Sequence, residues 1–275
     1  MKKVCFHYGQ NPAPFEVYSN RDVEVFIDCL ERTCVPRGKI RIVILEEPCQ
    51  GLLYRLVKNH PQYYTYLLTY HKELLKGNPK AMRFLVMKPW VVDYRSKRKH
   101  FSVSTVVGGK HDDKMPGYAV RHQLWHNRER IVIPKRFYLS GNEKYWHTFV
   151  PWTEVDYQGE LVLGTSKEPL FDSMFHVAIE NCSIKNYFSE KLLDCFQSRT
   201  FPIYYGCQNV DQYFDPAGMI RVGSVDEIVE VCNQLTPDIY KRAKRAMEHN
   251  YLLSKRWLDP KTQVEQAVKE VLNRI

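Results

Sequence analysis

Two groups of side chains in this sequence have the types and spacing to do chemistry. The first follows a short apolar run, Phe175 to Ile179, in the stretch FHVAIENCSIKNYFSEKLLDCFQSRTFPIYYG, and comprises Asn181, Tyr187, Glu190 and Lys191. A β-branched apolar run ending in polar residues is how a buried parallel strand delivers side chains to the carboxyl edge of a sheet. Ser189 then precedes Glu190, Lys191, Leu192 and Leu193, so a capping residue leads directly into an amphipathic helix. A helix N-terminus beyond a sheet edge presents backbone N–H groups and partial positive charge to a phosphate. Lys191 adds a full charge there, Glu190 can accept hydrogen bonds from a ribose diol, and Tyr187 and Asn181 complete a polar wall. An ordinary exposed first helical turn accounts for the same residues, because acidic side chains are common there. The second group is Glu46 and Glu47, which follow the apolar run Ile40 to Leu45 and precede Pro48. Proline stops a strand ladder, so these carboxylates fall at a strand end, where they can take a proton or form a solvated acidic turn.

The elements that must position these residues read as alternating strands and helices. Strands are expected at Val4 to Tyr8, Ile40 to Leu45, Tyr63 to Thr69, Phe101 to Val107, Ile131 to Phe137, Phe175 to Ile179 and Phe201 to Tyr205. Helices are expected over Arg21 to Leu30, where Val23, Phe26, Ile27 and Leu30 recur at helical spacing, and over Leu52 to Val57, Tyr118 to Trp125, Val225 to Leu235, Asp238 to Tyr251 and Val264 to Leu272. Lys144 to Pro151 is an aromatic stretch, and Val155 to Leu163 precedes the strand that opens the first group. Strand–helix alternation predicts an α/β fold.

The order IENC, NYFSEK, FPIYYG and FDPAGMIRV resembles the donor-binding signature of glycosyltransferase family 10, the α1,3/4-fucosyltransferases. The turn LEEP at Leu45 to Pro48 resembles that family's acidic motif, whose glutamate is the proposed catalytic base. Ile179, Cys182, Ser189 and Glu47 depart from the family's usual residues, which implies a distant member whose donor sugar need not be fucose. The resemblance implies two Rossmann-like lobes facing across a cleft (GT-B-like): residues 1–94 as the acceptor-side lobe, 95–258 as the nucleotide-sugar lobe, and 259–275 as a C-terminal helix. It implies Glu46, or Glu47 with the register moved by one, as the base, and Arg121 near the start of its helix as a contact to the donor diphosphate, with Asn181, Tyr187, Glu190 and Lys191. The implied activity is inverting sugar transfer from a nucleotide sugar, GDP-fucose above all, to a glycan hydroxyl. A UDP-linked donor acting on a modified nucleobase in DNA, and a non-catalytic nucleotide-sugar or nucleic-acid binding module, are the alternatives.

No D-x-D triplet occurs, so charge compensation falls to Arg121, Lys191 and helix N-termini, and neither a metal nor a cofactor is expected. His111, His122 and His126 lack a carboxylate or cysteine pattern and are expected on the surface. The eight cysteines form no C-x-x-C pair and are expected to be reduced. Met1 to Tyr8 lacks a signal-peptide core and no apolar run reaches the about 18 residues of a membrane span, which predicts a soluble, cytoplasmic chain. Net charge is +9, and residues 81–150 carry 14 Lys+Arg against 5 Asp+Glu, so the whole excess lies there. A diphosphate needs only two or three cations. The surplus therefore leaves open an anionic membrane surface, a phosphorylated glycan or nucleic acid as a further partner, beside a merely solubilising surface.

Overall fold

The computed structural model describes residues 1–8, 15–48, 51–140, 161–162 and 166–275, and the chain divides into two compact units. One unit comprises Met1–Met87, Lys185–Tyr187 and Asp259–Ile275; the other comprises Lys88–Ile184 and Phe188–Leu258.

In the first unit, β1 (Lys2–Lys3) pairs antiparallel with β3 (Tyr18–Ser19). The main sheet is all parallel among the described residues, in the order β2 (Cys5–Tyr8), β4 (Asp22–Ile27), β5 (Lys39–Leu45), β6 (Tyr66–Thr69), β7 (Ala81–Arg83). Helices α1 (Leu52–Asn59) and α2 (Lys72–Leu75) connect its later strands, and α7 (Pro260–Arg274) returns to it from the end of the sequence. Ile40, Ile42 and Ile44 of β5 pack with Val264, Val268 and Val271 of α7, whereas Val43 and Leu45 pack with Tyr54 and Val57 of α1. Successive side chains of a strand alternate faces, so a strand covered on both sides is largely apolar, and the buried exceptions in β4 and β5, Glu24 and Arg41, pair with each other at 2.6 Å.

That rule explains the main departure from expectation. Residues 21–30 are not a helix: β4 runs over Asp22–Ile27, hydrogen-bonded between β2 and β5. Val23, Val25 and Ile27 face the α7 side and Phe26 the α1 side, so residues selected by helical spacing belong to opposite faces of a doubly buried strand.

The second unit's sheet is also parallel, in the order β10 (Leu161–Val162), β9 (Lys135–Leu139), β8 (His100–Val107), β11 (Ser173–Ile179), β12 (Phe201–Tyr205), β13 (Ile220–Arg221). Helices α3 (Pro116–His126), α5 (Val225–Gln234) and α6 (Pro237–Ser254) contribute Leu124, Ile228 and Met247 to one core with Val103, Val177 and Ile203. Helix α4 (Glu190–Gln197) crosses from β11 to β12 as a strand–helix–strand unit. β9 starts at Lys135 rather than Ile131, because Pro134 has no N–H for the ladder and Ile131 closes a turn on the carbonyl of Arg128. The boundary expected at residue 95 falls between Met87 and Lys88. Trp90 and Val91 donate their backbone N–H groups to Asp194 Oδ1 in α4, at 2.7 and 3.0 Å, which ties the segment before the basic run to the second unit. The last helix belongs to the first unit's core rather than standing apart. The aromatic stretch 144–151 lies outside the described residues, and so does all of 155–163 except Leu161 and Val162. No helix of the described residues is long and apolar enough to cross a membrane.

Candidate active-site residues

The acidic turn of the first unit is built by three strand ends. β5 ends at Leu45, so Glu46 and Glu47 follow at the carboxyl edge of the sheet, Glu46 half-buried and Glu47 exposed. Asp28, the residue after β4, accepts hydrogen bonds on Oδ1 from the backbone N–H groups of Glu46 (2.7 Å) and Glu47 (3.2 Å). From the end of β6, the Tyr70 hydroxyl donates to the Glu46 carbonyl at 3.0 Å, and the His71 Nε2 lies 3.0 Å from the Glu47 carbonyl. Burial, together with the charges of Asp28 and Glu47, pushes the Glu46 carboxyl up to about 8. Burial likewise lifts Asp28 to about 6 against the pull of its two N–H donors. An ionised, unperturbed glutamate is the ordinary expectation for a strand-end carboxylate, and this environment overturns it: Glu46 holds its proton through neutral pH, while Glu47 stands in solvent.

In the second unit, the carboxyl edge of β11 is braced by side chains. Arg121 in α3 is buried and donates to the Ile179 carbonyl from Nε (3.1 Å) and Nη2 (2.7 Å), and from Nη2 to Asn181 Oδ1 at 2.6 Å. Arg121, expected at the donor diphosphate, thus meets Asn181, expected in the polar wall of the same pocket. Gly117 brings the first turn of α3 so close that an added Cβ would lie 1.8 Å from the Glu180 carbonyl oxygen.

Glu180, which sequence reasoning placed only as a strand end, is fully buried and organises the next helix. It accepts from Ser189 N (2.8 Å) and Ser189 Oγ (2.5 Å), while Ser189 Oγ caps α4 by accepting from Lys191 N at 3.3 Å. Burial raises the Glu180 carboxyl above its usual range, with the Lys191 charge opposing. Glu190 and Lys191 form the expected first turn of α4, joined at 2.8 Å. Lys167, which the sequence did not single out, lies 3.8 Å from Glu190 and 3.2 Å from Asp194. Burial pushes the Glu190 carboxyl up, but Lys191 and Lys167 outweigh it and hold it low. Two ammonium groups thus converge on the N-terminus of α4, a place suited to a phosphate. Tyr187 is buried, its segment belongs to the first unit, and its ring lies 5.5 Å from that of Tyr70.

Beside these residues, beyond β12 and β13, is a cavity of about 380 Å³ lined by Ser183, Tyr204, Cys207, Gln208, Arg221 and Glu227, with the backbone of Gly206 and Gly223. It lies at the carboxyl ends of parallel strands, where ligands of such sheets bind. Of the histidines expected at the surface, His122 is buried instead, 3.1 Å from the Gly108 carbonyl. Among the described residues no group of three or more His, Cys, Asp or Glu side chains could hold a metal ion, and the seven described cysteines are free thiols.

No family model matches the chain. An α-(1,4)-fucosyltransferase of Arabidopsis thaliana is 34% identical over 67 residues, which is 23% of this chain and 17% of that protein. Among solved structures, TarM superposes with a TM-score of 0.55 at 8% identity, over 90% of this chain and 54% of its own. A pneumococcal O-GlcNAc transferase, GtfA, in complex with UDP and GlcNAc, gives 0.54 at 13% identity over 90% and 57%. An α1,3-fucosyltransferase gives 0.50 at 14% identity over 94% and 80%. The chain thus spans little more than half of TarM and GtfA. These likenesses define its fold class as GT-B-like, two parallel sheets each flanked by helices.

Proposed function

We propose that the chain is an inverting glycosyltransferase that moves a sugar from a nucleoside-diphosphate donor to an acceptor hydroxyl. The observation that carries this reading is Glu46: a half-buried carboxylate at a strand end, braced through its backbone and with its proton affinity raised to about 8. A carboxylate of that basicity takes a proton from a hydroxyl more readily than an ordinary one, and it is ionised for that task chiefly above about pH 8. In the proposed step the acceptor oxygen bonds to the anomeric carbon as Glu46 takes its proton. The bond from that carbon to the diphosphate oxygen breaks, and the electron pair leaves with the nucleoside diphosphate. Lys191 and Lys167, at the start of α4, stabilise the departing charge, and the cavity beside Gly206 takes the nucleoside end.

The 67-residue likeness to a fucosyltransferase favours a donor carrying fucose or a related sugar, and the likeness to an α1,3-fucosyltransferase solved with GDP favours a GDP-linked one. Arg95, Lys97 and Arg98 are all exposed, which favours an anionic acceptor. Calorimetry with GDP and with UDP tests the donor side. We expect GDP to bind, and Lys191→Ala to weaken it by about 1.5 to 3 kcal/mol, the range for a charge-assisted hydrogen bond. Tighter binding of UDP would reassign the base, and unchanged affinity in the variant would move the phosphate away from α4.

A further inference from the structure

The turn that carries Glu46 and Glu47 is anchored at four backbone groups. Both of its N–H groups go to one oxygen of Asp28, and both of its carbonyls go to side chains that follow β6. Asp28 itself has φ of 49°, in the left-handed region that aspartate and asparagine tolerate better than other side chains. An asparagine would suit that backbone equally and would accept the same two hydrogen bonds without bringing charge. The aspartate instead sets a third carboxylate beside Glu46 and Glu47, at an electrostatic cost that bracing alone does not explain.

We propose that Asp28 is a positioning residue for Glu46 with two separable effects: its oxygen fixes the peptide groups of the turn, and its negative charge makes Glu46 a stronger proton acceptor. The proposal rests on the reading of Glu46 as the base. Among the described residues, the charged and titratable groups facing Glu46 are Asp28 from the end of β4 and Glu47 from its own turn; His71 faces the same turn from the end of β6. Burial lowers His71, so it is neutral through the upper pH range. Asp28, near 6, loses its proton before Glu46, near 8, so its charge is in place across the interval in which Glu46 ionises.

The test follows Glu46 directly in protein labelled with ¹³C at the glutamate side-chain carboxyl, titrated by NMR from pH 4 to 10, with Glu46→Gln assigning the resonance. Asp28→Asn keeps the acceptor oxygen and removes the charge; it should lower the Glu46 midpoint, and the midpoint of the pH–rate profile should move down with it. Asp28→Ala removes both effects and should lose on the order of 10²-fold in turnover with nucleotide affinity kept, as for a misplaced reacting group. An unchanged Glu46 midpoint in Asp28→Asn would overturn the charge effect, and wild-type turnover in Asp28→Ala would overturn the positioning effect. The titration needs no substrate. A wild-type protein that transfers nothing would therefore strike the assignment of Glu46 as base and leave the coupling to Asp28 standing.

Discussion

If Glu46 is the base, the rate must carry its ionisation. With the carboxyl at about 8 instead of the ordinary 4.5, roughly a tenth of the molecules hold the reactive carboxylate at pH 7, about half at pH 8 and about nine-tenths at pH 9. We therefore expect kcat/KM to climb nearly tenfold per pH unit from 6 to 7.5 and to level off above about 8.5. Initial release of nucleoside diphosphate, followed at acceptor well below its KM in buffers of constant ionic strength, measures this. Glu46→Gln should lose about 10² to 10⁴ of the rate and flatten the profile, whereas Glu47→Gln should lose much less. Stability should move the opposite way. The folded chain holds the Glu46 proton over the window from about 4.5 to 8 in which the unfolded chain has released it, so this residue's contribution falls as pH rises through that window. Glu46→Gln should remove that slope from the unfolding midpoint. A rate already at its plateau at pH 6, or full activity in Glu46→Gln, would refute the reasoning.

Two further outcomes concern the second unit. Arg121→Ala strips the donors from the Ile179 carbonyl and Asn181 and should cost about 2 to 3 kcal/mol in urea unfolding; a loss of nucleotide affinity at unchanged stability would make Arg121 a ligand contact instead. Gly117→Ala sets a methyl group 1.8 Å from the Glu180 carbonyl oxygen, which is backbone and cannot rotate away, and should cost about 3 kcal/mol, the upper end for overpacking, read as a lowered melting temperature or lost soluble yield.

The elements around α4 were legible because the local signals agreed: Ser189 caps the helix the sequence marks, and β11 and β12 coincide with its apolar runs. Residues 21–30 misled because helical periodicity and double burial select overlapping apolar positions, and only pairing with β2 and β5 separates them. Reading that stretch as a helix also hid Asp28, whose meaning depends on standing at a strand end. The acidic turn itself was visible in LEEP, but the raised proton affinity of Glu46 comes from burial and from a charge 18 positions away in the chain. Lys167 and Glu180 act through partners that no spacing rule connects.

The placement of α7 sets an order on the making of this protein. Val264, Val268 and Val271 complete the same core as Val4, Val25 and Ile42, so one face of the first sheet stays uncovered until Pro260–Arg274 has been synthesised. The second unit, Lys88–Leu258 apart from Lys185–Tyr187, is contiguous enough to fold while that face is still exposed. An open apolar surface waiting on a growing chain invites non-native contacts, and it leaves the unit whose strands are made first to be completed after the strands of the other.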